Sequence, residues 1–161
     1  MKDNLVLIGM PSSGKTTLGR LLADALGLSF VDSDAEIIER IGMPIADFFA
    51  ARGEAAFRAV ESEVLSDLAA RRGQVIATGG GAVLDPHNVE TLRQSGTLLF
   101  LDRSLSGLTP TADRPLSADG GRLERLYRER RPLYLAAADH VIPNDGTPRQ
   151  ALAAILNLLN D

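Results

Sequence analysis

The chain has no cysteine, so no disulfide, thiolate nucleophile or thiolate metal site can be part of its chemistry. Its two histidines, His87 and His140, have no partners at metal-ligand spacing. No apolar run approaches the roughly 18 residues of a membrane span. The net charge of −4 argues against a general affinity for nucleic acid or membrane surfaces. The chain enters an apolar run at Leu5, so no targeting peptide is expected. The expectation is a cytoplasmic protein. Lysine is also scarce, with two against fifteen arginines, so a lysine inside a motif carries weight. What remains is ordinary for a globular protein: 45% hydrophobic and 24% charged residues over 161 positions. One domain spanning 1–161 is expected, and a chain of this size can bury roughly 70% of its unfolded surface without a staple.

One of the two lysines sits in the stretch Leu5-Val6-Leu7-Ile8-Gly9-Met10-Pro11-Ser12-Ser13-Gly14-Lys15-Thr16-Thr17. Four apolar residues read as a buried strand. Gly9 to Thr16 then fits G-x-x-x-x-G-K-[ST], the phosphate-binding loop. Backbone N–H groups must approach phosphate oxygens closely there, and glycines at the bends allow it. Lys15 brings a charge to the β- and γ-phosphates, and the Thr16 hydroxyl is placed to ligate Mg²⁺. Leu18, Leu21, Leu22 and Ala25 at helical spacing predict a helix after the loop, whose N-terminus attracts an anion. The candidate nucleotide-binding residues are therefore Ser12, Ser13, Gly14, Lys15, Thr16 and Thr17.

Short apolar runs alternate with helical stretches through the rest of the chain. Strands are predicted at Leu5–Ile8, Leu28–Val31, Val75–Ala77, Leu98–Leu101 and His140–Ile142. Helices are predicted over 15–26, 35–41, 44–51, 54–72, 86–94, 122–138 with a break at Pro132, and 148–159. Such alternation means an α/β fold with a parallel sheet covered by helices on both faces. Ligands bind beyond the carboxyl ends of such strands. The phosphate loop, Asp32-Ser33-Asp34 and Gly79-Gly80-Gly81 all fall at that edge. Residues 103–121 show no period, and loops that long inside a compact domain are usually functional lids or disordered. No helix carries an exposed apolar stripe, so a monomer is expected.

The two aspartates allow two readings. If the strand continues through them, both side chains point the same way, one toward the Mg²⁺ shell and one toward a substrate hydroxyl whose proton it accepts. Alternatively, Asp32 or Ser33 caps the next helix. The triple glycine suits close backbone approach to a compact, hydroxyl-rich ligand. Arg58, four residues after Glu54 and three before Glu61, is either part of a surface ladder or a fork for an anionic substrate group held by Glu61. Arg114, in Asp113-Arg114-Pro115-Leu116, is a candidate to neutralise charge on the γ-phosphate. Arg122, Arg125, Arg128 and Arg131 read as solvated, in part paired with Glu124 and Glu129. Phe48, Phe49 and Phe57 read as core.

These elements together resemble the shikimate kinases, nearly end to end. The resemblance rests on Gly9–Thr17 with Leu18-Gly19-Arg20, on Asp32-Ser33-Asp34, and on Ile45-Ala46-Asp47-Phe48-Phe49. It continues through Gly53-Glu54 with Phe57-Arg58 and Glu61, Gly79-Gly80-Gly81, Arg114-Pro115-Leu116, and Arg130 with Pro132-Leu133-Tyr134. It implies a three-layer fold like that of the nucleoside monophosphate kinases, with five parallel strands in the order 2-3-1-4-5. It implies transfer of the ATP γ-phosphoryl group to the 3-hydroxyl of shikimate, on the route to chorismate and the aromatic amino acids. By the same resemblance Asp34 holds and deprotonates that hydroxyl, and Arg58 and Arg130 bind the shikimate carboxylate. Gly79, Gly80 and Gly81 contact ring hydroxyls, Arg114 is the lid arginine, and Asp32 with Thr16 serves Mg²⁺. Phe49 and Phe57 wall the pocket.

The residues depart from the family at one place. Many members carry a longer stretch before Arg114, with an arginine that packs on adenine. Here Ser104–Ala112 is short and has none, and Arg103 comes earlier. Two other readings share the phosphate loop: a gluconate or nucleoside monophosphate kinase, and a non-catalytic nucleotide-binding module. The first would need a different acceptor pocket. An intact Asp34 with the substrate arginines speaks against the second.

Overall fold

In the computed structural model, which describes residues 3–108 and 121–160, the apolar run after the N-terminus is strand β1 (Asn4–Ile8), buried throughout. It sits at the centre of a five-stranded parallel sheet with β2 (Ser29–Asp32), β3 (Gln74–Ala77), β4 (Gly96–Asp102) and β5 (His140–Pro143). The order is β2-β3-β1-β4-β5, as the resemblance implied. β1 runs beside β3, with Leu7 opposite Ala77, and beside β4, with Ile8 opposite Phe100. The carboxyl ends of the three central strands therefore finish at one edge.

Alternation along the strands splits the core into two layers. Leu5, Leu7, Val75, Leu99, Leu101 and Ile142 face α1 (Lys15–Leu26) and α6 (Pro148–Leu159), meeting Leu18, Leu22, Ala151 and Ile155. Val6, Ile8, Ile76, Leu98 and Phe100 face the opposite layer. That layer comprises α2 (Ser33–Ile41), α3 (Ile45–Ala69), α4 (Pro86–Ser95) and α5 (Arg122–Ala137), which contribute Ile37, Leu65, Leu92 and Tyr134. Both faces are covered, so the strands read as continuous apolar runs rather than alternating ones. Each fully buried Leu or Ile contributes about 1.5–3 kcal/mol by leaving water.

Two local expectations need correction. Helix α2 starts at Ser33 rather than Ala35, because Asp32 caps it: its Oδ1 accepts from the N–H groups of Asp34 (2.9 Å) and Ala35 (3.4 Å). The strand thus ends at Asp32, and Asp34 occupies the first helical turn instead of a strand position. The two helices expected over 44–51 and 54–72 are both present within α3, separated by a kink at Gly53 (φ 85°, ψ 172°), which lies outside helical geometry. α5 runs through Pro132 without a break. Proline removes one hydrogen bond, but anchors on either side hold the helix: Tyr134 is buried in the core, and Arg131 forks onto Asp102 at 2.8 and 3.3 Å. Arg131 is therefore a solvated charge as expected, but its partner is Asp102 at the end of β4 rather than a glutamate of its own helix. Arg128 does pair with Glu124, at 2.6 Å.

Candidate active site

Helix α1 is distinguished by what its N-terminus lacks. Asp32, Asp85 and Thr147 cap α2, α4 and α6 with side-chain oxygens. α1 has Gly14 at its N-cap, no side-chain cap and no acidic residue in its first turn. Its leading N–H groups are left for an external anion. The loop before it holds its carbonyls inward. Lys15 Nζ donates to the carbonyls of Gly9 (2.7 Å) and Met10 (2.8 Å), and Asn144 Nδ2 donates to Ser13 O at 2.6 Å. Ser12 is in the left-handed region at φ 68°, and Gly14 lies at φ 98°. Such backbone is costly for serine and persists where the surroundings hold it, as they do at ligand sites.

On the other side, Asp34 projects from the first turn of α2 toward the triple glycine. A Cβ on Gly79 would stand 2.7 Å from Asp34 Oδ1, one on Gly80 would stand 3.1 Å from an Arg130 guanidinium nitrogen, and one on Gly81 would run into the Arg58 guanidinium. Three charged side chains therefore lie directly on three successive glycines, an approach no larger residue permits. The glycine carbonyls are all held: Gly79 O by Ala82 N–H (3.1 Å), Gly80 O by Tyr134 Oη–H (2.6 Å) and Gly81 O by Leu84 N–H (3.1 Å). Gly79 N–H donates to Ser33 Oγ at 3.2 Å. The N–H groups of Gly80 and Gly81 have no acceptor among the described residues.

Arg58 donates to Glu61 Oε1 at 2.9 Å and lies 3.5 Å from Glu54. The ion pairs that the spacing suggested are both present, and the guanidinium they hold lies against Gly81. Glu61 is buried, and burial raises its pKa against the opposing pull of Arg58. The Asp34 pKa is raised too, by burial first and by the Asp32 charge second, with Lys15 and Arg58 opposing. Burial pushes Lys15 down to about 8, although Asp34 and Asp32 pull the other way. Tyr134 is pushed up to about 12 by burial, so its hydroxyl stays a donor. Perturbed titratable groups that face one cleft mark it as a candidate functional site.

The cleft between these groups measures about 370 Å³ and is lined by Ser12, Gly14, Lys15, Thr16, Thr17, Asp32, Asp34, Gly79 and Gly80 together with Pro11, Ala77 and Thr78. A sequence model described as shikimate kinase matches residues 11–160. The chain belongs to the shikimate kinase family. It is 42% identical to the shikimate kinase of Thiobacillus denitrificans, over 98% of this chain and 88% of that one. It is 44% identical to that of Symbiobacterium thermophilum, over 94% and 92%. Among solved structures it superimposes on the Acinetobacter baumannii shikimate kinase in complex with shikimate, with TM-score 0.87 and 36% identity over 99% of this chain and 93% of that one. The Aquifex aeolicus shikimate kinase matches with TM-score 0.87 and 33% identity over 98% and 96%. A sugar kinase from Janibacter, at 19% identity and TM-score 0.60, shares the fold alone.

Within this shikimate kinase fold most of the expected residues meet. Ser13 is buried beneath the loop, and Arg58, Arg130 and Gly81 adjoin the cleft through the triple glycine. Arg114 and most of the expected lid lie outside the described residues. Phe49 and Phe57 pack on each other at 4.8 Å, within or against the core, and neither lines the cleft. For Mg²⁺, Thr16 Oγ1 lies 3.3 Å from Asp32 Oδ2, while the other oxygen of Asp32 caps α2. No cluster of three or more acidic or histidine ligands occurs among the described residues. Two hard oxygens without a full cage fit a Mg²⁺ that keeps waters and takes its other ligands from nucleotide phosphates. The sequence reasoning offered Ser33 only as a helix cap and gave no role to Tyr134 or Asn144. Each stands at the carboxyl edge of the sheet or within a motif already singled out, but their hydrogen bonds run to backbone carbonyl or N–H groups, which leave no trace in side-chain patterns.

Proposed function

We propose that this chain transfers the γ-phosphoryl group of ATP to the 3-hydroxyl of shikimate, giving shikimate 3-phosphate and ADP. The observation that carries the reading is the convergence of Lys15, Asp34 and the two arginines Arg58 and Arg130 around one glycine-walled cleft. The phosphate loop and the bare N-terminus of α1 receive the triphosphate. Lys15 turns from the carbonyls of Gly9 and Met10 to the β- and γ-phosphates. Arg58 and Arg130 take the shikimate carboxylate, and the N–H groups of Gly80 and Gly81 take ring oxygens. Asp34 accepts the proton of the 3-hydroxyl as that oxygen attacks the γ-phosphorus. The bond from the γ-phosphorus to the β,γ-bridging oxygen breaks, and ADP leaves carrying the electron pair. Lys15 stabilises charge on the transferred group. Thr16 and Asp32 hold Mg²⁺, which when bound neutralises phosphate charge. We extend the reading to Arg114 as a lid arginine closing over the γ-phosphate, within one domain over 1–161 whose lid spans about 103–121. We place the enzyme in the cytoplasm as a monomer. The reaction needs neither nucleic acid nor membrane.

The test is ADP release from Mg·ATP, coupled to NADH consumption, with shikimate as acceptor and gluconate and AMP as controls. Turnover that depends on shikimate supports the proposal. Turnover with another acceptor, or nucleotide binding without turnover, overturns it.

A further inference from the structure

Two buried side chains outside the substrate-touching set each hold one carbonyl of one binding loop. Asn144, beyond the end of β5, is 6% exposed and donates from Nδ2 to Ser13 O at 2.6 Å. Its own N–H donates to the carbonyl of Asp102 at the end of β4 (3.1 Å), so its backbone is anchored to the sheet. Tyr134, on α5, is 1% exposed and donates from Oη to Gly80 O at 2.6 Å. A trans peptide is planar, with its C=O and N–H pointing in opposite directions. Holding Ser13 O toward Asn144 therefore turns the Gly14 N–H the other way. Holding Gly80 O toward Tyr134 does the same for the Gly81 N–H.

We infer that Asn144 and Tyr134 are paired positioning residues, Asn144 setting the N–H of the nucleotide loop and Tyr134 setting the N–H of the acceptor loop, each tuning the affinity for one substrate alone. The inference rests on the proposed reaction. Asn144 also packs against Gly14, where a Cβ would meet its Nδ2 at 2.9 Å, so the loop is gripped at two adjacent points. Met10 Sδ lies 3.9 Å from Tyr134 Oη, a weak contact that leaves Gly80 O as the acceptor of the hydroxyl proton. Arg130, in the preceding turn of the same helix, lies on Gly80 as well. Gly80 is thus held and flanked from one helix, and Ser13 O is held from the end of one strand.

Two replacements test this, because each deletes a donor while keeping a side chain of similar shape. Asn144→Leu should raise the KM for ATP about tenfold and leave the KM for shikimate within about twofold, as expected when a buried carbonyl loses its partner. Tyr134→Phe should raise the KM for shikimate about tenfold and leave the KM for ATP within about twofold. Asn144→Ala should resemble Asn144→Leu, since the lost donor and not the lost volume is at issue. Circular dichroism on each variant confirms that it is folded. Near-wild-type constants for Asn144→Leu beside a defective Asn144→Ala would mean that Asn144 acts by packing, and would overturn the inference. Equal changes in both KM values for either isosteric variant, or a variant that fails to fold, would also overturn it. Absence of shikimate-dependent turnover in the wild-type enzyme would instead remove the reaction on which it rests.

Discussion

The two loops that line the cleft hold their backbones by different means. The phosphate loop is largely self-contained: Lys15, one of its own residues, satisfies the carbonyls of Gly9 and Met10, and Ser13 O is held by a distant partner, Asn144. The triple glycine supplies no side chain, so α2 lends Ser33, α5 lends Tyr134 and the following turn lends two N–H groups. Both end in the same state, with carbonyls held and selected N–H groups left for ligand. A loop that must recognise a triphosphate can carry its own charge. A loop that must fit against a small ring is made of glycine and borrows its order from neighbours.

Several changes would break that contrast. The largest effect is expected from Lys15→Ala, which removes both the phosphate charge and the internal ties. kcat should fall by about 10²–10³ or more, the scale of losing one transition-state donor. Unaltered turnover in a coupled assay would contradict the role of the loop. Arg58→Ala should raise the KM for shikimate about 10–100-fold, the range for a charge-assisted hydrogen bond, and leave the KM for ATP near normal. It also strands Glu61, whose side chain is 1% exposed, so thermal melting should show a loss of stability of about 1–3 kcal/mol. Gly81→Ala sharpens the contrast further. Its methyl group would press on the Arg58 guanidinium, whose nearest atoms include one at 2.6 Å, and should raise the KM for shikimate by about tenfold, within the usual cost of overpacking.

The smallest effect concerns protons. With its pKa lowered to about 8, Lys15 in the free enzyme is charged below that pH and loses its charge above it. The triphosphate favours the charged form and raises the pKa, so ATP binding at pH 8 should take up about half a proton, falling toward zero near pH 6. Calorimetry in buffers of different ionisation enthalpy measures this uptake. The same titration makes kcat/KM for ATP decline as pH rises above about 8. Lys15→Ala should abolish the uptake, and an unchanged uptake in that variant would assign the proton elsewhere.

The parts of this architecture that were legible in the sequence are the parts encoded locally. The run Leu5–Ile8 followed by Gly9–Thr16 announces strand, loop and helix within a dozen residues, and the structure has all three. The parallel sheet followed from the alternation of strands and helices, whereas its order was implied only by the family resemblance. Asp34 was read at the right edge, and of the two readings offered there the helix cap is the one realised: Asp32 spends one oxygen on it, so Asp34 stands in the first turn of α2 rather than on a continued strand. The break expected at Pro132 does not occur, because Arg131–Asp102 and the burial of Tyr134 outweigh one lost hydrogen bond. Asn144 was missed because its partner, Ser13 O, is 131 positions away and is a backbone atom. Patterns of side chains report faces and motifs. They do not report which distant side chain will hold a given peptide.

The central claim is that Asp34 joins the two loops chemically, as the base for the hydroxyl delivered by one and phosphorylated from the other. The most direct measurement is the kcat of Asp34→Asn, with the dissociation constant of ATP determined on the same protein. A fall in kcat of about 10²-fold or more, with ATP binding near normal, is the predicted result. An unchanged kcat, or a collapse of ATP binding, would contradict it.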